Sequence, residues 1–321
     1  MMDARKIFQL SQSKLKREIQ NTLMERGREI ISRNGYLYSP GKLPVMLVAH
    51  LDTVHRDLPK IICTSDDGNV WMSPQGIGGD DRCGVYALLS IAEKFDVHLL
   101  FCEDEEIGAI GARNFCKSDI VPDINYIVEI DRKGSNDAVF YDCANPEFTE
   151  FVLSFGFKEE LGIFSDISVI APALGVAAVN LSSGYHNAHK TEEYVVWSEL
   201  RNTIERVEKM LATETTFFEY IEDSISRWSN FDYGLHGFNS KTFTAGNTIL
   251  LTEFSGVLID KETSSTYNDL SDDLFGIAKN GDIYSLYIGN YAEKIDGVKA
   301  VDNNYREIVF DEAVAVEYEV W

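Results

Sequence analysis

Residues 45–52 read Val-Met-Leu-Val-Ala-His-Leu-Asp. The run from Val45 to Ala49 is apolar without alternation. That pattern describes a strand buried on both faces, the kind found in parallel sheets covered by helices on each side. It stops in His50-Leu51-Asp52, so polar residues fall at the strand's carboxyl end. The same grammar recurs downstream. Val97 to Cys102 is a second buried strand and ends in Glu103-Asp104-Glu105-Glu106, with Gly108 just beyond. Tyr126 to Ile130 is a third, running through Glu129 into Asp131, and Ala138 to Tyr141 is a fourth. Val176 to Leu181 leads towards Tyr185-His186-Asn187-Ala188-His189.

Helical spacing fills the intervals. Asp81 to Phe95 places Val85, Leu88, Leu89 and Ile91 inside, and it is opened by Gly76-Ile77-Gly78-Gly79-Asp80-Asp81. Ala109 to Ser118 and Pro146 to Phe155 read as helices, and Ser198 to Leu211 is strongly amphipathic. Residues 3–33 read as helical through Ile7, Leu10, Ile19, Leu23 and Ile30, ended by Asn34-Gly35. Lys60 to Thr64 and Val70 to Ser73 flank Asp66-Asp67-Gly68-Asn69 as a hairpin. Strands alternating with helices predict an α/β fold, a three-layer sandwich with a mostly parallel central sheet, over residues 1–221. Beyond that the texture changes. Thr248 to Ile259, Asp282 to Ile288 and Glu307 to Val320 are rich in β-branched and aromatic residues, and Asn280-Gly281 is a hairpin signal. Residues 222–321 are therefore expected to form a β-rich accessory unit.

The chain has 321 residues, 45% hydrophobic and 12% aromatic, enough for a full core. Asp and Glu number 52 against 29 Lys and Arg, a formal charge of -23. So acidic a surface repels phosphate backbones and anionic bilayers, which excludes nucleic acid and membrane as partners. It suits metal ions and the amino end of a substrate. The longest apolar stretch, Ile167 to Leu181, contains Ser, Pro and Asn and is too short to span a bilayer. The N-terminus lacks the continuous apolar region of a signal peptide. Five scattered cysteines, Cys63, Cys83, Cys102, Cys116 and Cys143, form no Cys-x-x-Cys pair and read as reduced thiols in a cytoplasmic protein.

Chemistry gathers at the strand ends. In an open parallel sheet the carboxyl ends converge on one edge, where ligands bind. Taken singly, each cluster has an ordinary explanation: Glu-Asp-Glu-Glu suits a solvated helix start, and Asp80-Asp81 suits an N-cap. Five such clusters on one edge would instead bring two imidazoles and several carboxylates to one point. Carboxylates packed so closely repel, and cations relieve that repulsion.

The order His-x-Asp, Gly-x-Asp-Asp, Glu-Glu-x-Gly, Asp, His resembles the co-catalytic di-zinc exopeptidases, a group that includes tripeptidases, aminoacylase relatives and bacterial leucyl aminopeptidases. The stretches carrying the resemblance are Ala49 to Val54, Gly78 to Gly84, Glu105 to Ala112 and His189 to Val195, within residues 1–215. It implies two Zn²⁺ ions, with Mn²⁺ or Co²⁺ as possible occupants. Asp80 would bridge them. His50, Asp80 and Asp131 would hold one ion, and Asp80, Glu106 and His189 the other. Asp52 would orient His50 through its second ring nitrogen. Glu105 would be the general base, taking a proton from the attacking water and passing it to the leaving amine. The family also has a cis peptide after its bridging Asp, here Asp80-Asp81.

His186 competes with His189 for the ligand role. The Glu193-Tyr194-Val195 that follows favours His189. Tyr185 and His186 are candidates to donate to a developing oxyanion. His55, His98 and His236 read as structural or surface residues, and Cys83 and Cys102 as inward-packing. Ser165-Asp166 and Gly175 resemble a substrate-side segment of the aminopeptidases. Tripeptidases and aminoacylases insert a lid domain between the Asp and final His motifs, and the interval Asp131 to His189 is too short for one. The leading reading is an exopeptidase, either an aminopeptidase or a tripeptidase, acting on peptides, with the substrate's amine held by an acid such as Glu129 or Asp104. The runner-up is a deacylase of N-acyl amino acids. A third reading is a binding module that keeps the fold without catalysis.

Overall fold

The computed structural model describes residues 2–222 and, beyond them, five strand segments. The chain divides into two compact units, Met1–Ser224 and Ile225–Trp321, each described by itself.

The first unit contains, in order, α1 (Ala4–Gln9), α2 (Gln12–Glu25), β1 (Ile31–Arg33), β2 (Tyr36–Ser39), β3 (Leu43–His50), β4 (Cys63–Thr64), β5 (Val70–Met72), α3 (Gly79–Ile91), β6 (Val97–Cys102), α4 (Ile110–Cys116), β7 (Tyr126–Arg132), β8 (Asp137–Val139), α5 (Pro146–Leu153), β9 (Lys158–Glu159), α6 (Asp166–Leu174), β10 (Ala178–Ser182), β11 (Tyr185–His186), β12 (Tyr194–Val196) and α7 (Trp197–Leu211). Eight strands form the central sheet in the order β1-β2-β6-β3-β7-β10-β8-β9. Its middle, β6-β3-β7-β10, is parallel throughout, and antiparallel pairings flank it at β2-β6 and β10-β8. A smaller antiparallel sheet, β11-β12-β5-β4, stands beside it.

Strand pleating sorts each apolar run onto two faces. Val45, Leu47 and Ala49 of β3 enter one core with residues of α1, α2, α3, α5 and α7. Met46 and Val48 enter the other, with residues of α4 and α6. Both faces of the sheet are thus covered, which is why these strands carry no polar alternation. The architecture is an α/β sandwich around a mostly parallel sheet. No described helix is long and apolar enough to cross a membrane.

The N-terminal segment differs from the expected continuous helix over 3–33. The helix is interrupted at Leu10, which is extended, and restarts after the N-cap Ser11. It stops at Glu25, before Gly27 at φ 75°. Ile31–Arg33 then pairs antiparallel with Tyr36–Ser39 around Asn34-Gly35. The apolar spacing that suggested one helix belongs to two helices and an edge strand.

In the second unit β13 (Thr248–Leu250), β14 (Gly256–Ile259), β15 (Leu274–Ala278), β16 (Asp282–Leu286) and β17 (Tyr291–Lys299) form an antiparallel sheet in the order β13-β17-β16-β15-β14. β15 and β16 pair on either side of residues 279–281. The expected strand Glu307 to Val320 and His236 lie outside the described residues.

Candidate metal centre

The carboxyl ends of β3, β6 and β7, the start of α3 and the loop between β11 and β12 deliver the expected residues to one place. β3 ends at His50, which is fully buried. Its Nε2 lies 3.0 Å from Asp80 Oδ1 and 3.5 Å from Asp131 Oδ1, and its Nδ1 lies 3.2 Å from Asp52 Oδ1. Asp52 also accepts the backbone N–H of Glu105 and that of Glu106, each at 3.0 Å. One carboxylate therefore orients the imidazole and fastens the turn that follows β6.

The Asp80-Asp81 peptide bond is cis. Asp80 lies between the two imidazoles, with Oδ2 3.2 Å from His189 Nε2. Asp81 turns the other way: it accepts the Gly84 N–H at 2.9 Å and the His50 N–H at 3.3 Å. Glu106 Oε2 lies 3.3 Å from His189 Nε2. Asp131 is framed by Asn180, whose Oδ1 accepts its N–H at 3.0 Å and whose Nδ2 donates to its Oδ2 at 3.3 Å. Three sets of donor atoms are close enough to share a cation: Asp80, Glu106 and His189; His50, Asp81 and Asp131; and His50, Glu105 and Glu106. Both oxygens of Asp81 are already committed to backbone N–H groups, so Asp80 is the better third donor beside His50 and Asp131.

The electrostatics are those of charges confined out of water. Burial opposes a charge on His50, yet Asp131, Asp52 and Asp80 raise its affinity for a proton well above the ordinary range. Hydrogen bonds to Asp80 and Glu106 push His189 up to about 11. Burial would raise Asp80 too, but the two imidazoles hold it below the carboxylate range. Burial, reinforced by Asp80, pushes Asp131 up to about 7. Burial pushes Glu105 up to about 9, with Asp131, Asp166 and Glu106 adding to it against His50.

The neighbouring candidates find other partners. His186 Nε2 lies 2.6 Å from Glu199 Oε2, and its ring stacks on Tyr194, so it is committed away from the cluster. Tyr185 Oη donates at 2.7 Å to the Asp131 carbonyl oxygen and lies 3.1 Å from Asp80 Oδ2. His98 pairs with Tyr38. His55, expected to be a structural or surface residue, is paired: its Nε2 lies 2.6 Å from Glu193 Oε2. Glu129 is fully buried and accepts from Ser165 Oγ. Asp166, also fully buried, is the first residue of α6, whose N-cap is Ser165, in the segment that resembled a substrate-side element.

Two contributors have no local sequence signal, Asn180 and Gln12, while Glu193 is legible only as part of the segment after His189 and not as a partner of Gly78 and Asp80. The side chain of Gln12, on α2, donates to Asp104 Oδ1 at 2.8 Å and accepts the Asp104 N–H at 3.1 Å. Asp104 sits at φ 61°, a backbone region costly for a non-glycine residue, immediately before Glu105. Gln12→Ala removes the amide that holds it there. A loss of about 1 kcal/mol of positioning corresponds to roughly a five-fold fall in kcat. Steady-state kinetics alongside thermal melting will check this, with the melting temperature expected to move little.

The α/β sandwich is shared with solved peptidase structures, and one segment of the chain matches a peptidase family profile. Residues 36–153 match the profile described as Peptidase family M28. The fold resembles aminopeptidase PepT from Bacillus cereus (15% identity, TM-score 0.53, covering 65% of this chain and 97% of that one). It also resembles a tripeptidase from Staphylococcus aureus (13%, TM-score 0.54, covering 65% and 95%). A third likeness is to an aminopeptidase from the archaeon Desulfurococcus kamchatkensis (18%, TM-score 0.50, covering 65% and 93%). No curated protein matches the sequence.

The donor set fits a divalent metal such as zinc. Glu106 Oε1 and Asp131 Oδ1 are buried without a hydrogen-bond partner, the condition a cation would satisfy. Imidazole nitrogen and carboxylate oxygen together are the donor types zinc accepts.

Proposed function

We propose that the protein is a two-zinc aminopeptidase acting on short peptides. The observation carrying this reading is that one carboxylate, Asp80, is shared by two imidazole-carboxylate sets, with His50 and Asp131 on one side and Glu106 and His189 on the other. A single-metal site needs one such set. Asp52 holds His50 in the orientation that presents Nε2 to the site, and by gripping the Glu105 and Glu106 N–H groups it sets the base against the ligands.

Zinc, when bound, supplies Lewis-acid polarisation of the scissile carbonyl and a water acidic enough to lose its proton near neutral pH. The Glu105 carboxylate takes that proton and delivers it to the leaving amine nitrogen. The acid-rich cluster and the overall charge of -23 favour the ammonium end of a peptide over its carboxylate end. Preference for an amino terminus and lack of a lid insertion agree with one another, because a lid would ordinarily supply carboxylate-binding groups.

The test is mass-spectrometric digestion of matched di-, tri- and pentapeptides with free, acetylated or amidated ends, in added zinc, manganese or cobalt. Stepwise loss of N-terminal residues, blocked by acetylation, is expected. Release of acyl groups alone would make the protein a deacylase. No cleavage of any peptide would leave a binding module.

A further inference from the structure

We infer that Glu193 and His55 form a buried clamp that fixes the turn carrying Asp80 and thereby sets the affinity of the metal centre. The inference rests on the two-metal reading above. Both are positioning residues; the three groups that Glu193 grips are backbone N–H groups and an imidazole.

Glu193 lies in the loop between β11 and β12, four residues after His189, and is 0% exposed. A carboxylate so placed must be fully hydrogen-bonded to remain charged. Oε2 accepts the Gly78 N–H at 2.8 Å and lies 2.6 Å from His55 Nε2, which donates to it. Oε1 accepts the Asp80 N–H at 3.1 Å. Glu193 therefore holds the backbone of the residue whose carboxylate lies between His50 and His189. Its own N–H donates to the Lys190 carbonyl oxygen at 3.0 Å, tying it to the turn on which His189 sits at φ 64°. One loop thus carries a candidate ligand and also grips the residue that this ligand shares.

Two of the glycines in Gly76-Ile77-Gly78-Gly79 lie against the clamp. Gly76 is at φ 82°, and a Cβ there would come within 2.2 Å of the His55 ring. A Cβ on Gly79 would lie 2.6 Å from Tyr185 Cβ and 3.1 Å from Glu193 Oε1. Side chains at these positions would push the imidazole off Glu193 or crowd the carboxylate. The stretch serves the close approach of Glu193 and His55 to the Asp80 turn.

Three variants test the clamp: Glu193→Gln, His55→Ala and His55→Gln. Each is assayed for zinc and cobalt affinity by chelator competition, for melting temperature in chelator, and for peptide hydrolysis. Glu193→Gln turns an –NH₂ towards an N–H donor, and a 10–100-fold loss of metal affinity is expected. His55→Ala should lose about 10-fold, the low end of that range. His55→Gln presents an amide nitrogen near the position of Nε2 and should recover most of the affinity. With metal saturating, hydrolysis by the variants should return towards the wild-type kcat with KM unchanged. A merely structural residue would lower the melting temperature in chelator and leave metal affinity alone.

Metal affinity equal to wild type in both His55→Ala and Glu193→Gln overturns the clamp. If Glu193→Gln does not fold, the two His55 variants decide, because they alter one donor of three. Wild-type protein that takes up no metal would overturn the two-metal reading itself, an outcome distinct from wild-type binding that the variants match.

Discussion

Glu105→Gln is expected to lower kcat by about 10²–10⁴-fold, the usual contribution of a positioned general base. The substitution is nearly isosteric. It keeps the backbone N–H that Asp52 accepts at 3.0 Å, so the turn stays fastened. Glutamine cannot take up a proton, so transfer from water and delivery to the leaving amine both fail. KM should change little, because the substitution leaves the rest of the cluster in place. Metal content is the discriminating second readout. Glu105 can share a cation with His50 and Glu106, as well as act as a base. If it is the base, Glu105→Gln keeps the wild-type metal content and turns over slowly. If it is a ligand, metal affinity falls along with kcat, and the two variants Glu105→Gln and Glu106→Gln look alike. Metal analysis and steady-state kinetics on the same preparations separate these outcomes.

What the sequence makes visible here follows from how local the cause is. β3, β6 and β7 are buried on both faces, so their apolar runs carry the information in consecutive residues, and their ends mark the site edge without further help. The helix-strand boundaries near the N-terminus were less visible. Ile19, Leu23 and Ile30 keep a helical spacing even though the helix carrying the first two ends at Glu25. The choice between His186 and His189 rests on the residues following them; in three dimensions His186 lies against Glu199 and Tyr194, and His189 beside Asp80 and Glu106. The supports of the site were hidden because they act at long range. Gln12 reaches Asp104 across 92 residues, and Glu193 reaches Gly78 across 115. No period or spacing along the chain encodes such contacts. The glycines beside Asp80 were visible, but their reason, room for a carboxylate and an imidazole, appears only in the packing.

Removing metal from the protein is expected to lower its melting temperature, and Asp80 decides by how much. An ion that binds the folded state stabilises it by RT ln(1 + [L]/Kd), about 2.7 kcal/mol at 100 times Kd. For a unit of this size each kcal/mol moves the melting temperature by roughly 2–4 °C, so one site so occupied contributes about 5–11 °C. Two sites at that occupancy contribute roughly twice as much, on the same arithmetic. Asp80 is the only residue common to both candidate sets, and its two oxygens face different imidazoles, Oδ1 towards His50 and Oδ2 towards His189. Asp80→Asn should therefore weaken both sites together and shrink the chelator-induced shift to near zero. His189→Ala removes a donor from one set only and should keep about half of it. The metal-free Asp80→Asn protein should fold, since the core layers lie on the sheet faces away from this edge. Thermal melting with and without chelator, in wild type and both variants, reads this directly. If Asp80→Asn keeps a shift as large as that of His189→Ala, Asp80 does not bridge, and the centre holds a single ion or two independent ones.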